Sequence, residues 1–179
     1  MRMRLEGLII EPLGEHDRAA FSCGKPPLDE YLKTQAGQDH KRDLARTFVL
    51  VDPTRDPSRV IGYYSLAATG VDLSRLPPEQ AKGVPYPVVP CLLLGRLALD
   101  QAYHGQGLGA FLLDRALRHC LSIAQQVGAR AVIVDALDEQ ARKFYEAHGF
   151  RPLPGTPGRL FLPVKDIAHA VRAADRKGA

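Results

Sequence analysis

Apolar positions recur at helical spacing in several stretches of the chain. In Leu108–Val127 they fall at Leu112, Leu113, Ala116, Leu117, Cys120, Ala124 and Val127, and Gly128 follows as a C-terminal cap. Two earlier helices are predicted, at His16–Cys23 and Pro27–Asp39. In the second, Pro26 and Pro27 suit a first turn, and Leu28, Tyr31, Leu32 and Gln35 keep the spacing. Asp138–Ala147, ended by Gly149, and Lys165–Arg176 complete the predicted helices.

The β-type runs are residues 5–11, Thr47–Asp52, Arg59–Thr69, Cys91–Asp100, Ala131–Ala136 and Gly158–Pro163. The turn-rich DPTRDPS between the second and third predicts a hairpin. AVIVDA at Ala131–Ala136 is apolar throughout, as suits a parallel strand covered on both faces. Residues 91–136 therefore read as a βαβ unit with a right-handed crossover. The proline-rich connector Leu76–Pro90 reads as a loop lining a groove. The fold class is α/β: a mixed central sheet with flanking helices.

At 179 residues, 45% of them apolar, the chain suits one domain over 1–164 with a basic helical tail over 165–179. No stretch approaches the roughly 20 apolar residues of a membrane span. Glu6 and Gly7 interrupt the N-terminal MRMRLEGLII, and no small-residue cleavage site follows, so a cytoplasmic protein without a signal peptide is expected. Cys23, Cys91 and Cys120 have no metal-ligand spacing; they read as buried, reduced thiols, and no metal is expected. The net charge of +4 is uneven: residues 140–179 hold eight Lys/Arg against three Asp/Glu. A basic end suits a nucleic acid or a phosphorylated ligand, or is simply solvated.

The densest chemical signal is LGRLALDQAYHGQGLG, Leu94–Gly109: a strand, a glycine-rich turn, then a helix start. The alternating Gly105, Gly107 and Gly109 let the backbone approach a bulky anion. The free N–H groups at the head of the helix favour negative charge at the same spot. A pyrophosphate is the expected occupant. A Walker-type loop is excluded because no Lys-Ser/Thr pair follows. Gly105-x-Gly107-x-x-Ala110 passes the dinucleotide fingerprint, with Asp135 as a ribose-binding acid. Yet only about 40 residues follow Asp135, too few for a second mononucleotide half.

The segment also resembles the acyl-CoA motif Q/R-x-x-G-x-G/A of the GNAT (Gcn5-related) N-acetyltransferases. His104-Gly105-Gln106-Gly107-Leu108-Gly109 fits it, with His104 replacing the usual Gln or Arg. Downstream, Asp138–Phe150 resembles the family's N-x-x-A-x-x-x-Y-E-x-x-G-F, with Asp138 for Asn. Phe21–Leu32, Ala45–Val49, Gly62–Leu66, Gly95–Asp100 and Phe144–Phe150 resemble one subgroup, the acetyltransferase toxins of bacterial type II toxin–antitoxin modules (the TacT/AtaT group). This resemblance covers about residues 8–165. It implies a GNAT fold splayed around acetyl-CoA, and acetylation of the amino acid carried on charged tRNA, which blocks translation. It further implies a ribbon–helix–helix antitoxin and a homodimer.

The resemblance assigns acetyl-CoA to Leu97, Ala98, Leu99, His104, Gly105, Gln106, Gly107, Leu108, Gly109, Ala110, Asp138 and Phe144. Tyr145 becomes the general acid toward the CoA sulfur; a phenol with a reference pKa near ~10 is protonated at neutral pH. The other reading of Tyr145 is a core residue beside Phe144 and Phe150. Glu30, Asp100 and Glu146 are weak candidates for a general base, and His40, His104, His119 and His148 are scattered. A free α-amine titrates near ~8, and esterification to tRNA should lower this further, so a missing base is tolerable there. Lys33, Arg46, Arg96, Arg142, Lys143, Arg151 and Arg159 are the candidate phosphate contacts. Two rivals stand beside the tRNA reading: a GNAT acting on a small amine or protein N-terminus, and a non-enzymatic corepressor module with a DNA-binding partner.

Overall fold

The computed structural model describes residues 5–179; Met1–Arg4, the start of the stretch read as lacking a signal peptide, lie outside the described residues. Seven strands form one mixed sheet of order β1-β2-β3-β4-β5-β7-β6. They are β1 Ile9–Pro12, β2 Arg46–Val51, β3 Gly62–Asp72, β4 Val88–Leu99, β5 Ala131–Asp135, β6 Arg151–Pro152 and β7 Arg159–Pro163. The helices are α1 Pro26–Glu30, α2 Ala36–Lys41, α3 Pro78–Ala81, α4 Leu108–Val127, α5 Glu139–Ala147 and α6 Val164–Lys177. The chain divides into two compact units. One holds the residues through Ala67 together with Arg96–Ala116; the other holds Ala68–Gly95 and Leu117–Ala179.

In the first unit β1, β2 and β3 are consecutive antiparallel neighbours, with Phe48 opposite Tyr64 and Thr47 opposite Ser65. The predicted hairpin is therefore present, with β3 beginning at Gly62. Val49, Val51 and Tyr63 pack with Phe21, Tyr31, Leu32, Ala36 and Ala98 into a buried cluster. Full burial of each large apolar side chain is worth about 1.5–3 kcal/mol. The prolines Pro26 and Pro27 start α1 as expected. The helix then runs through a π segment, Tyr31–Gln35, where the Ala36 N–H reaches the Tyr31 carbonyl five residues back, before α2 resumes.

His16–Cys23 is not a helix. Its backbone is tied outward instead: Asp17 N–H donates to Ser58 O at 2.8 Å, and Ser22 N–H to the Asp100 carboxylate. Phe21 is drawn into the core. Tertiary hydrogen bonds here replace those a helix would have supplied.

In the second unit β5 lies parallel to β4, with Leu93 opposite Ile133, and antiparallel to β7. The parallel βαβ pairing read from the sequence is present. Val71, Leu76, Val89, Cys91, Ile133, Leu153 and Phe161 form the core. The proline-rich connector contributes to it: Leu76 and Gln80 are buried, and α3 occupies part of what read as loop. β6, only two residues long, joins the sheet beside β7. α6 buries Ile167, and its first amide, Val164 N–H, bonds Arg130 O at 3.0 Å.

α4 covers Leu108–Val127 as predicted. Leu108, Leu112, Leu113, Ala116 and Cys120 are buried, whereas Val127 is 75% exposed, because it is the last residue before the Gly128 cap. Cys23, Cys91 and Cys120 are free and buried. No described helix is long and apolar enough to cross a membrane.

Candidate active site

The glycine turn is where the sequence placed it. β4 ends at Leu99, a short 3-10 turn spans Gln101–Tyr103, and α4 opens at Leu108. Gly105 and Gly107 adopt φ of +75° and +79°, a left-handed backbone that favours glycine. A Cβ built on either would meet no atom within 4 Å. The left-handed backbone, not crowding by other parts of the fold, is what calls for glycine here, and it leaves the turn open ahead of the head of α4. Gly109 differs, since it lies in the first turn of α4 with ordinary helical φ. Leu108 is buried and Ala110 exposed in the first turn of α4 beside these glycines.

The residues around the turn have defined tasks. His104 does not point away as a free base would: its Nε2 bonds the Leu99 carbonyl at 2.8 Å, closing the end of β4. Ala98 is buried while Leu97 and Leu99 are half-buried. Gly62 opposes this strand end so closely that a Cβ there would stand 3.0 Å from Ala98 O. Asp100 is 4% exposed and accepts N–H bonds from Ser22 at 3.1 Å and Ala102 at 2.9 Å. Both its oxygens are engaged by backbone amides. Gln106 is half-buried and has its own interactions.

The second predicted motif is built on α5. Asp138 is its N-cap, accepting from Ala141 N–H at 2.8 Å, so the Asp replacing Asn performs the same capping. Tyr145 is 6% exposed and sits edge-on to both Phe144 and Phe150, with ring centroids 5.4 Å apart in each pair. Burial alone pushes the Tyr145 phenol well above the usual tyrosine value. The phenol is therefore protonated throughout the neutral range, as a proton donor must be. The ring is packed as the core reading expects, and the hydroxyl keeps its proton.

No general base stands out. Glu30 is exposed at the end of α1, and Glu146 is paired with Arg142 at 2.6 Å. His148 Nδ1 bonds Phe144 O at 2.7 Å, and burial lowers the His119 pKa. Among the described residues no group of three or more His, Cys, Asp or Glu could hold a metal.

The predicted phosphate contacts separate into two kinds. Arg142 is paired with Glu139 and Glu146, Arg159 with Asp135, Arg46 with Asp43, and Arg151 with Asp166. Arg96 stacks over the Tyr31 ring, 3.6 Å from its centroid. Lys33 and Lys143 are exposed on helical surface. The sequence shows the cations but not their carboxylate partners, which come from spacing within α5, the loop before β2, the neighbouring strand β5 and the first turn of α6.

A sheet with parallel β4 and β5, a glycine turn running from β4 into α4, and a capped helix carrying Tyr145 define an acyl-CoA-dependent transferase of GNAT type. The acetyltransferase (GNAT) domain model matches residues 43–152, and the chain belongs to the GNAT family. It is 39% identical over 150 residues to the tRNA-acetylating toxin of Mycobacterium tuberculosis, covering 84% of this chain and 87% of that protein. Among solved structures it resembles AtaT complexed with acetyl-methionyl-tRNAfMet, with TM-score 0.84, 34% identity, and coverage of 92% of this chain and 99% of that one. It also resembles a tyrosine-to-phenylalanine variant of the AtaT toxin bound to the C-terminus of the antitoxin AtaR and acetyl-CoA. There the TM-score is 0.78 with 31% identity, covering 93% of this chain and 99% of that one.

Proposed function

We propose that this chain is a toxin that transfers the acetyl group of acetyl-CoA to the amino group of aminoacyl-tRNA and so blocks translation. The observation that carries the reading is similarity along most of the chain to a tRNA-acetylating toxin, joined to a glycine turn that fits a pyrophosphate. Acetyl-CoA supplies the activated acetyl group. The backbone N–H groups of Gly105–Ala110 hold the pyrophosphate, and the Leu97–Leu99 backbone aligns the pantetheine arm and thioester oxygen. The amine nitrogen forms the new C–N bond and the C–S bond breaks. Tyr145 gives its proton to the departing sulfur and regains one from solvent, to which the proton lost by the amine also passes.

The absence of an obvious base agrees with this acceptor, because the α-amine of an esterified amino acid is largely neutral near pH 7. A lysine side chain, with a reference pKa near ~10.4, would need deprotonation first. Lys33 and Lys143, both exposed on helical surface, suit tRNA phosphates best. By the same likeness the chain works in the cytoplasm as a homodimer with a ribbon–helix–helix antitoxin.

Mass spectrometry of charged tRNA after incubation with purified protein and acetyl-CoA tests the proposal. Acetylated aminoacyl-tRNA and arrested cell-free translation are expected. Acetylation of free amines or peptide N-termini with tRNA left untouched would overturn it.

A further inference from the structure

Asp100 is one of the few charged side chains buried in the protein. It directly follows β4 and precedes the glycine turn, yet its bonds reach back to the start of the chain. Oδ2 accepts the Ser22 N–H at 3.1 Å, and Oδ1 accepts the Ala102 N–H at 2.9 Å. The Gln101 N–H returns a bond to Ser22 O at 2.8 Å. Ser22 is thus held on both its amide and its carbonyl by two consecutive residues. Asp100 N–H meanwhile donates to Ile61 O at 2.9 Å. Gly24 packs so closely on the Gln101 side chain that a Cβ there would stand 2.4 Å from its Nε2.

Arg59 faces the carboxylate, with Nη2 3.9 Å from Oδ1, and its guanidinium lies 5.5 Å from the centre of the Tyr103 ring. Its Nε is buried without a hydrogen-bond partner. The Arg59 side chain is 41% exposed, so its charge stays partly solvated while it faces the buried Asp100 carboxylate.

These contacts converge on three residues, Asp100–Ala102, that join the end of β4 to the glycine turn. Downstream, His104 fixes the Leu99 carbonyl. A Cβ at Gly105 or Gly107 would meet nothing within 4 Å, so the turn is held from its two ends: Asp100 on the β4 side and the buried Leu108, with the Phe111 N–H to Gly107 O bond, on the α4 side.

We infer that Asp100 is a positioning residue for acetyl-CoA: its carboxylate, clamped on Ser22 and Ala102 and faced by Arg59, fixes the angle at which the glycine turn leaves β4. This rests on the acetyl-CoA reading of the turn. Asparagine in its place is isosteric but has one acceptor oxygen for two N–H donors, so one bond becomes a donor-to-donor clash. The adjacent amide supplies a control. Cys23 N–H donates at 2.8 Å to Asp29, a carboxylate of α1 rather than of the segment leading into the turn.

Calorimetric titration of acetyl-CoA, with melting temperatures measured in parallel, tests the inference on wild type, Asp100→Asn, Ser22→Pro and Asp29→Asn. Loss of a hydrogen bond to a charged group should weaken acetyl-CoA binding about tenfold in Asp100→Asn, with KM for acetyl-CoA rising and KM for the acceptor unchanged. Ser22→Pro deletes the donor and keeps Asp100; it should weaken binding similarly, and it carries the test if Asp100→Asn does not fold. Asp29→Asn should lower the melting temperature without changing acetyl-CoA affinity. Wild-type affinity in the Asp100 and Ser22 variants, or equal loss in Asp29→Asn, would overturn the inference. A wild-type chain that binds no acetyl-CoA would overturn the cofactor reading itself, and the inference with it.

Discussion

Arg159 and Asp135 sit directly opposite each other on β7 and β5 and share a two-point ion pair, Nε to Oδ1 at 2.8 Å and Nη2 to Oδ2 at 3.0 Å. The carboxylate raises the arginine's already high pKa further. A guanidinium committed in this way has little to offer a phosphate without first losing its partner. Arg159→Ala should therefore cost up to about 1 kcal/mol of stability, as part-exposed pairs do, and barely change tRNA affinity. Lys33→Ala and Lys143→Ala should do the reverse: each lowers the slope of log affinity against log salt by about one unit, at unchanged stability. Filter binding over a salt series, with denaturant melts, separates the two classes.

Tyr145→Phe keeps the ring in its aromatic setting and deletes only the proton donor. Turnover should fall by about 10²–10⁴-fold, with acetyl-CoA affinity within about twofold of wild type. Equal turnover would remove the general-acid role.

The same residue sets an alkaline limit on stability. Burial raises the Tyr145 and Tyr63 phenols above the usual value. Above about pH 10 the unfolded chain gives up these protons while the folded chain keeps them, so the unfolded state binds fewer protons and stability falls as pH rises. Denaturant midpoints between pH 8 and 11 should show this decline, and Tyr145→Phe should make it shallower.

His119 on α4 works at the other end of the scale. Burial lowers its pKa from the reference value. As pH falls below about 6.5 the unfolded chain takes up a proton that the folded chain resists, and stability falls. His119→Gln should flatten the acid side of the stability profile between about pH 5 and 6.5. An unchanged slope would show that other groups dominate there.

Gly105 and Gly83 share a backbone conformation, with φ of +75° and +76°, and both have open space where a Cβ would go. Alanine at either should cost about 1 kcal/mol of left-handed strain. Only Gly105→Ala should also weaken acetyl-CoA binding, because only its Cβ enters the concavity assigned to pyrophosphate. Paired calorimetry on the two variants reads the difference.

What was legible in the sequence followed from periodicity and caps. α4, the parallel β4–β5 pair and the Asp138-capped α5 were visible because apolar spacing, Gly128 and Gly149 all pointed the same way. The π segment at Tyr31–Gln35 was not, since it widens a single turn by one residue within an otherwise helical apolar pattern. His16–Cys23 misled because the contacts that organise it lie at Ser58 and Asp100, far along the chain. β6 is two residues long and carries no periodicity at all. At the candidate site, the motifs located the turn between β4 and α4 and placed Tyr145 on α5. The carboxylates that occupy Arg142 and Arg159 were not, because ion pairing is decided by three-dimensional neighbours.

Cys23, Cys91 and Cys120 are buried, and desolvation pushes their thiols up, to about 11 for Cys23 and about 12 for Cys120. Toward soluble alkylating reagents the folded chain therefore behaves as if it had no cysteine, because neither access nor thiolate is on offer. A single cysteine engineered at an exposed position such as Lys33 could carry a fluorophore or spin label with no background from the native thiols. Modification of those three would in turn clock the opening of the fold.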